Sequence, residues 1–178
     1  MVDLKENIGE GQIVVLVIPN EKYTKKIVDV ARFFSETTNS LCYVSLNKLY
    51  NSLTVALTKE GIDHDNFLFM DGITKSANPQ AEEADNCMYL KSSSNLTELS
   101  ILLDRVMQSG KFDGFLFDSL STILIYNQGE AVSKFTHDLI NKIRAHNTTA
   151  VFTALEGDTK SDLLKEISMF VDGIVHLD

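Results

Sequence analysis

The residues best equipped for chemistry follow short apolar runs. Phe115, Leu116 and Phe117 lead into Asp118, Ser119, Leu120 and Ser121. An acid at the end of a buried strand can hold a cation, orient a water or accept backbone N–H groups. Ser119 and Ser121 have no patterned histidine to act as base, so a Ser-His-Asp hydrolase is unsupported. Two other apolar runs lead to Asn47 and to Thr153, and Glu156 follows the latter. Beyond the first run of the chain come Pro19, Asn20, Glu21, Lys22 and Tyr23, then Lys25 and Lys26. In an open parallel sheet, ligands sit beyond the carboxyl ends of the strands. Asp118, Ser119, Asn47, Thr153, Lys25 and Lys26 are therefore the candidate ligand-facing set, converging on one rim.

That convergence requires a specific frame. Residues 13–18 form a continuous apolar run, as in a central parallel strand covered on both faces. Further strands are expected at 41–46, 67–70, 87–90, 115–117, 149–153 and 171–177. Ile27, Val30, Ala31 and Phe34 recur at helical spacing. Asn47 is the expected cap of a helix carrying Leu49, Leu53, Ala56 and Leu57 and ending at Gly61. Asn95 caps another, stopped at Gly110, and Gly129 opens one with Val132, Phe135, Leu139, Ile140 and Ile143 on its buried face. A short helix is expected over 158–168. Strands alternating with helices predict an α/β, three-layer sandwich with a mainly parallel central sheet. One domain is expected over residues 1–178, with an N-terminal tail at 1–10. The long acidic stretch 71–86, with Glu82, Glu83 and Asp85, reads as a solvated, mobile loop.

Composition narrows the function classes. The chain has 178 residues, and acids exceed bases by 25 to 16, for a net charge of -9. Generic nucleic-acid binding and polybasic membrane association both need clustered cations, so both are disfavoured. No apolar run approaches a membrane span, and residues 1–10 lack the apolar core of a secretory signal. Cys42 and Cys87 lie in apolar segments without CxxC spacing, as expected of buried thiols in a reducing, cytoplasmic setting. The four histidines, His64, His137, His146 and His176, show no HxxxH or HExxH spacing, so no zinc site is expected. Asp71 and Asp118 invite comparison with a phospho-acceptor receiver domain. Receivers, however, carry paired acids after the first strand, where Pro19 and Asn20 stand here.

The apolar strand ending in Asp118, followed by Ser119, Leu120 and Ser121, resembles the Walker B strand of RecA-like ATPases, in particular the KaiC-like branch. The order of features from Gln12 onward is similar as well, down to the closing segment Phe170, Val171, Asp172, Gly173, Ile174 and Val175. The resemblance implies a RecA-like P-loop NTPase fold of the compact, single-domain type abundant in archaea, some of whose members act in signal transduction. It also implies that Asp118 occupies the magnesium-holding position.

Two departures bear on activity. The family's first strand leads into a loop of the form G-x-x-x-x-G-K-S/T, whose backbone N–H groups wrap phosphates. Residues 19–26 contain no glycine, and they carry Glu21 and the bulky Tyr23. Lys25 and Lys26 could meet an anion near the helix start, but without the glycines they read as solvated helix lysines. The family places a catalytic carboxylate after the second strand, where this chain has Leu46 and Asn47. Asparagine can orient water but is no general base. The expectation is a pseudo-ATPase: no catalytic residues, no metal, no cofactor, and a regulatory or scaffolding role through a protein partner or self-association. The alternative is an ATP/Mg binder or weak ATPase with a non-standard phosphate loop. A side chain such as Tyr23 filling the space above residues 19–26 would decide against that alternative.

Overall fold

β1 (Ile13–Ile18) consists of six apolar residues, all buried, so both of its faces need cover. The computed structural model, which describes residues 4–158 and 162–178, supplies that cover with helices on each side. The other strands are β2 (Leu41–Ser45), β3 (Phe67–Asp71), β4 (Cys87–Tyr89), β5 (Gly114–Asp118), β6 (Thr149–Leu155) and β7 (Gly173–His176). They form one seven-stranded sheet in the order β4-β3-β2-β5-β6-β1-β7, and every pairing is parallel. This is the expected α/β three-layer sandwich.

Strand alternation sorts the core into two layers. Val14, Leu16 and Ile18 pack with Ile27, Val30 and Phe34 of α2 (Tyr23–Thr37) and with Leu53 and Leu57 of α3 (Tyr50–Lys59). Ile13, Val15 and Val17 face the opposite layer. It comprises α5 (Leu96–Gln108), α6 (Leu120–Tyr126), α7 (Gly129–Ala145) and α8 (Asp162–Ile167). Burying one of these large aliphatic or aromatic side chains contributes about 1.5–3 kcal/mol, so two filled layers dominate stability. Asn95 caps α5 as expected, accepting from the Glu98 N–H at 3.0 Å. Gly110 follows α5 with φ +62°, a left-handed conformation that glycine adopts without steric penalty.

Three expectations need correction. The segment 1–10 is more than a tail: α1 (Leu4–Asn7) lies against α2, Ile8 is buried, and Lys5 pairs with Glu36 at 2.8 Å. Leu4 and Ile8, four residues apart, supply the apolar side of that turn. The stretch 71–86 begins with a helical turn, α4 (Thr74–Ala77). Lys75 then fastens the rest, donating to the Ala81 carbonyl at 2.6 Å and pairing with Glu83 at 2.8 Å. Asn47 does not cap α3. The Tyr50 N–H donates to the Asp71 carboxylate at 2.6 Å instead. The expected helix over 158–168 is present as α8, and its residues 159–161 lie outside the described ones. Among the described residues, no helix is long and apolar enough to cross a membrane.

Candidate functional site

The carboxyl end of β5 sets the centre of the site. Ser45 at the end of β2 lies opposite both Asp71 on β3 and Asp118 on β5, so three polar residues meet at adjacent strand ends. Asp71 is an anchor. Its carboxylate accepts from the Tyr50, Ile73 and Thr74 N–H groups at 2.6, 2.7 and 2.8 Å and from the Thr74 hydroxyl. Those bonds start both α3 and α4.

Asp118 is fully buried and faces the α2 layer. Tyr43, two residues before the end of β2, shares that face by alternation, and its hydroxyl donates to Asp118 Oδ2 at 3.1 Å. Asn47 Nδ2 donates to Oδ1 at 3.0 Å. A 3-10 turn (Asn20–Lys22) carries the chain from β1 straight into α2. Tyr23, the first residue of that helix, therefore projects over the strand ends and donates to the same Oδ1. The Tyr23 oxygen also lies 3.0 Å from Thr153 Oγ1. The one phenol proton points to the carboxylate, and the Thr153 hydroxyl, which also reaches the Phe117 carbonyl at 3.3 Å, shares its single proton between that oxygen and Tyr23. The resulting chain runs from Thr153 to Tyr23 to Asp118 and joins β6, α2 and β5. The peptide bond joining Asp118 to Ser119 is cis.

Burial dominates the electrostatics. It raises the Asp118 carboxyl above its ordinary pKa, while the Tyr23 hydroxyl, Lys48, Asn47 and Tyr43 pull it back. Burial, with the charge of Asp118, pushes both Tyr23 and Tyr43 upward, so the two phenols stay protonated donors. Lys48 is half-buried, which lowers its pKa; the neighbouring Asp118 opposes that. Its ammonium sits 5.8 Å from the centre of the Tyr23 ring, within cation–π range.

Of the six expected site residues, Asp118, Asn47 and Thr153 come together. Ser119 does not join them: it caps α6, accepting from the Thr122 N–H at 3.2 Å. Lys25 is exposed on α2, Lys26 is packed into the core side of the same helix, and neither bonds to the Asp118 cluster. Glu156 lies in a 3-10 turn (Glu156–Asp158) beyond β6. Tyr43 and Lys48 were not in the expected set. Tyr43 could have been found from strand alternation, since it and Asp118 fall on one face once β2 and β5 are paired. Both cysteines are buried and free, and burial pushes the Cys42 thiol up to about 12. Among the described residues, no three His, Cys, Asp or Glu side chains gather as a metal site.

Comparisons with known proteins bear on the fold and on the family. No curated protein matches the sequence. Among solved structures, the chain is similar to the KaiC-like protein PH0186 from the hyperthermophilic archaeon Pyrococcus horikoshii OT3, with a TM-score of 0.67. The alignment covers 96% of this chain and 73% of that one, at 14% identity, so the likeness is one of fold. It makes the sandwich a RecA-like fold of the KaiC type. The profile of a family of unknown function, DUF7504, matches residues 59–177, a span that holds β3 to β7 and Asp118. By that match over most of its length, the chain belongs to the DUF7504 family.

Proposed function

We propose that this protein is a non-catalytic RecA/KaiC-like domain, a pseudo-ATPase that works in the cytoplasm as a regulatory or signal-transduction interaction protein. The observation that carries the reading is the Tyr23 hydroxyl on the Asp118 carboxylate. A bound nucleotide of this fold class would set its terminal phosphates above the turn after β1 and its magnesium beside the acid ending β5. In this chain that turn is a short 3-10 segment without glycine, which offers no nest of backbone N–H groups. The phenol of Tyr23 takes the adjoining space, and both oxygens of Asp118 already accept hydrogen bonds. A magnesium ion there would have to displace donors from a buried carboxylate. Asn47, in the stretch after β2 where the family's catalytic carboxylate is expected, is committed to Asp118 as well.

The residues therefore do not fit a magnesium nucleotide, and they fit a stabilising role. One network centred on the buried Asp118 ties α2 to three strands. Function then falls to the outer surface, through a protein partner or self-association. Equilibrium titration with a fluorescent ATP analogue and magnesium tests the proposal. It predicts no saturable binding up to millimolar ligand. Magnesium-dependent binding that is lost in Asp118→Ala would overturn it.

A further inference from the structure

β7 ends the sheet, and among the described residues no strand pairs with its outer edge. Its register on β1 sets Val17 beside His176, and the Leu177 N–H donates to the Val17 carbonyl at 2.9 Å. Backbone groups alternate in direction along a strand. Gly173 and Val175 therefore serve β1, while Ile174 and His176 point their N–H and C=O groups outward. The Asp172 N–H is spent on the Ile13 carbonyl at 2.7 Å. Its carbonyl, opposed to the inward Gly173 N–H across their shared peptide plane, points outward as well. An open edge of this kind is a template for another strand.

The side chains on that edge select the strand. Asp172, Ile174 and His176 share one face of the chain by alternation, and all three are exposed, Ile174 by 36%. α8 does not close over them: a crevice of about 220 Å³ opens between Ile174 and His176 on one side and Leu164, Lys165 and Ser168 on the other. Asp172 Oδ2 accepts from the Ile13 N–H at 2.8 Å and from Arg144 at 3.3 Å. Oδ1 accepts only from Arg144, at 3.4 Å, so it keeps an acceptor site for a further donor.

The strip is complementary to its own reverse. With Ile174 opposite the partner's Ile174, Asp172 falls opposite the partner's His176 at both ends, a carboxylate against an imidazole N–H. The same register gives two backbone bonds between the paired Ile174 residues and one from each His176 N–H to the partner's Asp172 carbonyl. Sliding by two residues one way sets Ile174 against the partner's Asp172. Sliding the other way sets Ile174 against the partner's His176, and Asp172 against the partner's Asp178, two carboxylates face to face. We propose that β7 pairs antiparallel with β7 of a second copy about a two-fold axis at Ile174, joining the two sheets edge to edge. Four residues a side make a small contact, so the dimer belongs to the weak, transient class. This specifies the self-association named above and rests on reading the chain as an interaction domain. The two fail separately: one is read by nucleotide binding, the other by oligomeric state.

Sedimentation equilibrium of the full chain tests this, in about 0.5 M salt, where the repulsion between two copies of net charge -9 is screened beyond a few ångströms. It should show a concentration-dependent dimer. Ile174→Lys, on an exposed edge position whose own backbone groups make no bond to β1, should weaken that dimer by at least about tenfold. His176→Glu, which sets like charges opposite each other at both ends, should weaken it by at least about threefold. Cysteine cross-linking reads the register. Residues facing each other in a hydrogen-bonded antiparallel pair have Cα atoms about 5.5 Å apart, within disulfide reach, and both native cysteines are buried. Under mild oxidation Ile174→Cys should give a disulfide-linked dimer at least about tenfold faster than Val55→Cys, a more exposed position on α3. A chain that stays monomeric up to about 1 mM would overturn the proposal. So would a dimer indifferent to Ile174→Lys, or cross-linking through Val175→Cys in place of Ile174→Cys.

Discussion

The Tyr23 hydroxyl donates to the Asp118 carboxylate across 95 residues of sequence, joining the first turn of α2 to the end of β5. Thr153 of β6 supports the same phenol at 3.0 Å. Removing the hydroxyl alone, in Tyr23→Phe, leaves the ring in place and strips one donor from a buried carboxylate. Stability should fall by about 1–3 kcal/mol. Urea unfolding checks this: the midpoint should drop at constant slope, because the change is in contacts and not in compactness.

Asp118 and Asp113 should respond to pH in opposite senses. Burial raises the Asp118 pKa in the folded state above its ordinary 3.8. The protonated form is therefore favoured by folding, and its contribution is complete below that ordinary value and lost as pH rises through the folded value. In Asp118→Asn the amide oxygen can still accept from Tyr23 and Asn47, while Tyr43 turns from donor to acceptor of the amide N–H. The variant should gain stability relative to the wild type as pH rises from 4 towards 7. Urea midpoints measured across that range would refute this if the wild type gained instead.

At Asp113 burial also pushes upward, but hydrogen bonds from Asn39 and Ser40 outweigh it and hold the carboxyl below its ordinary 3.8. The Ser40 N–H donates at 2.9 Å and Asn39 Nδ2 at 2.8 Å. The stability this brings is present above the ordinary value and is lost as pH falls through the folded value. Asp113→Asn should therefore cost most near neutrality, with the cost shrinking in acid. The same series of unfolding curves reads both effects.

Asp71 anchors two helices from one buried carboxylate. Asp71→Ala leaves three N–H groups without their acceptor and should cost about 2–4 kcal/mol. Hydrogen exchange should accelerate first at Tyr50, Ile73 and Thr74, ahead of the sheet. Uniform acceleration across β1 and β6 would contradict the assignment.

The strands were legible because their signal is local. The run at 13–18 is apolar throughout and needs no partner to be recognised, and β1 has those bounds. Asp118, Asn47 and Thr153 were legible for the same reason, since each lies at or just beyond a strand end and the rim rule gathers them. What escaped depended on neighbours distant in sequence. Asn47 looked like the cap of α3, yet the acceptor for Tyr50 came from Asp71 on β3, a choice made by strand pairing. α6 was hidden because Leu120 to Tyr126 is apolar almost throughout, with Leu120 and Ile123 buried and Ile125 exposed, which blurs helical periodicity. Lys25 and Lys26 were marked by charge alone. α2 sets Tyr23 over the strand ends and leaves Lys25 exposed, while Lys26, one turn further on, is buried and bonds to no member of the Asp118 cluster.

The central claim is that Tyr23 and Asp118 close the site against magnesium nucleotide, and thermal melting with and without MgATP tests it most directly. A ligand at 100 times its Kd would add about 2.7 kcal/mol, which for a chain of this size is roughly 5–10 °C. The account predicts no shift with millimolar ATP, ADP or GTP in the presence of magnesium. A magnesium-dependent rise in Tm that Asp118→Ala abolishes would contradict it.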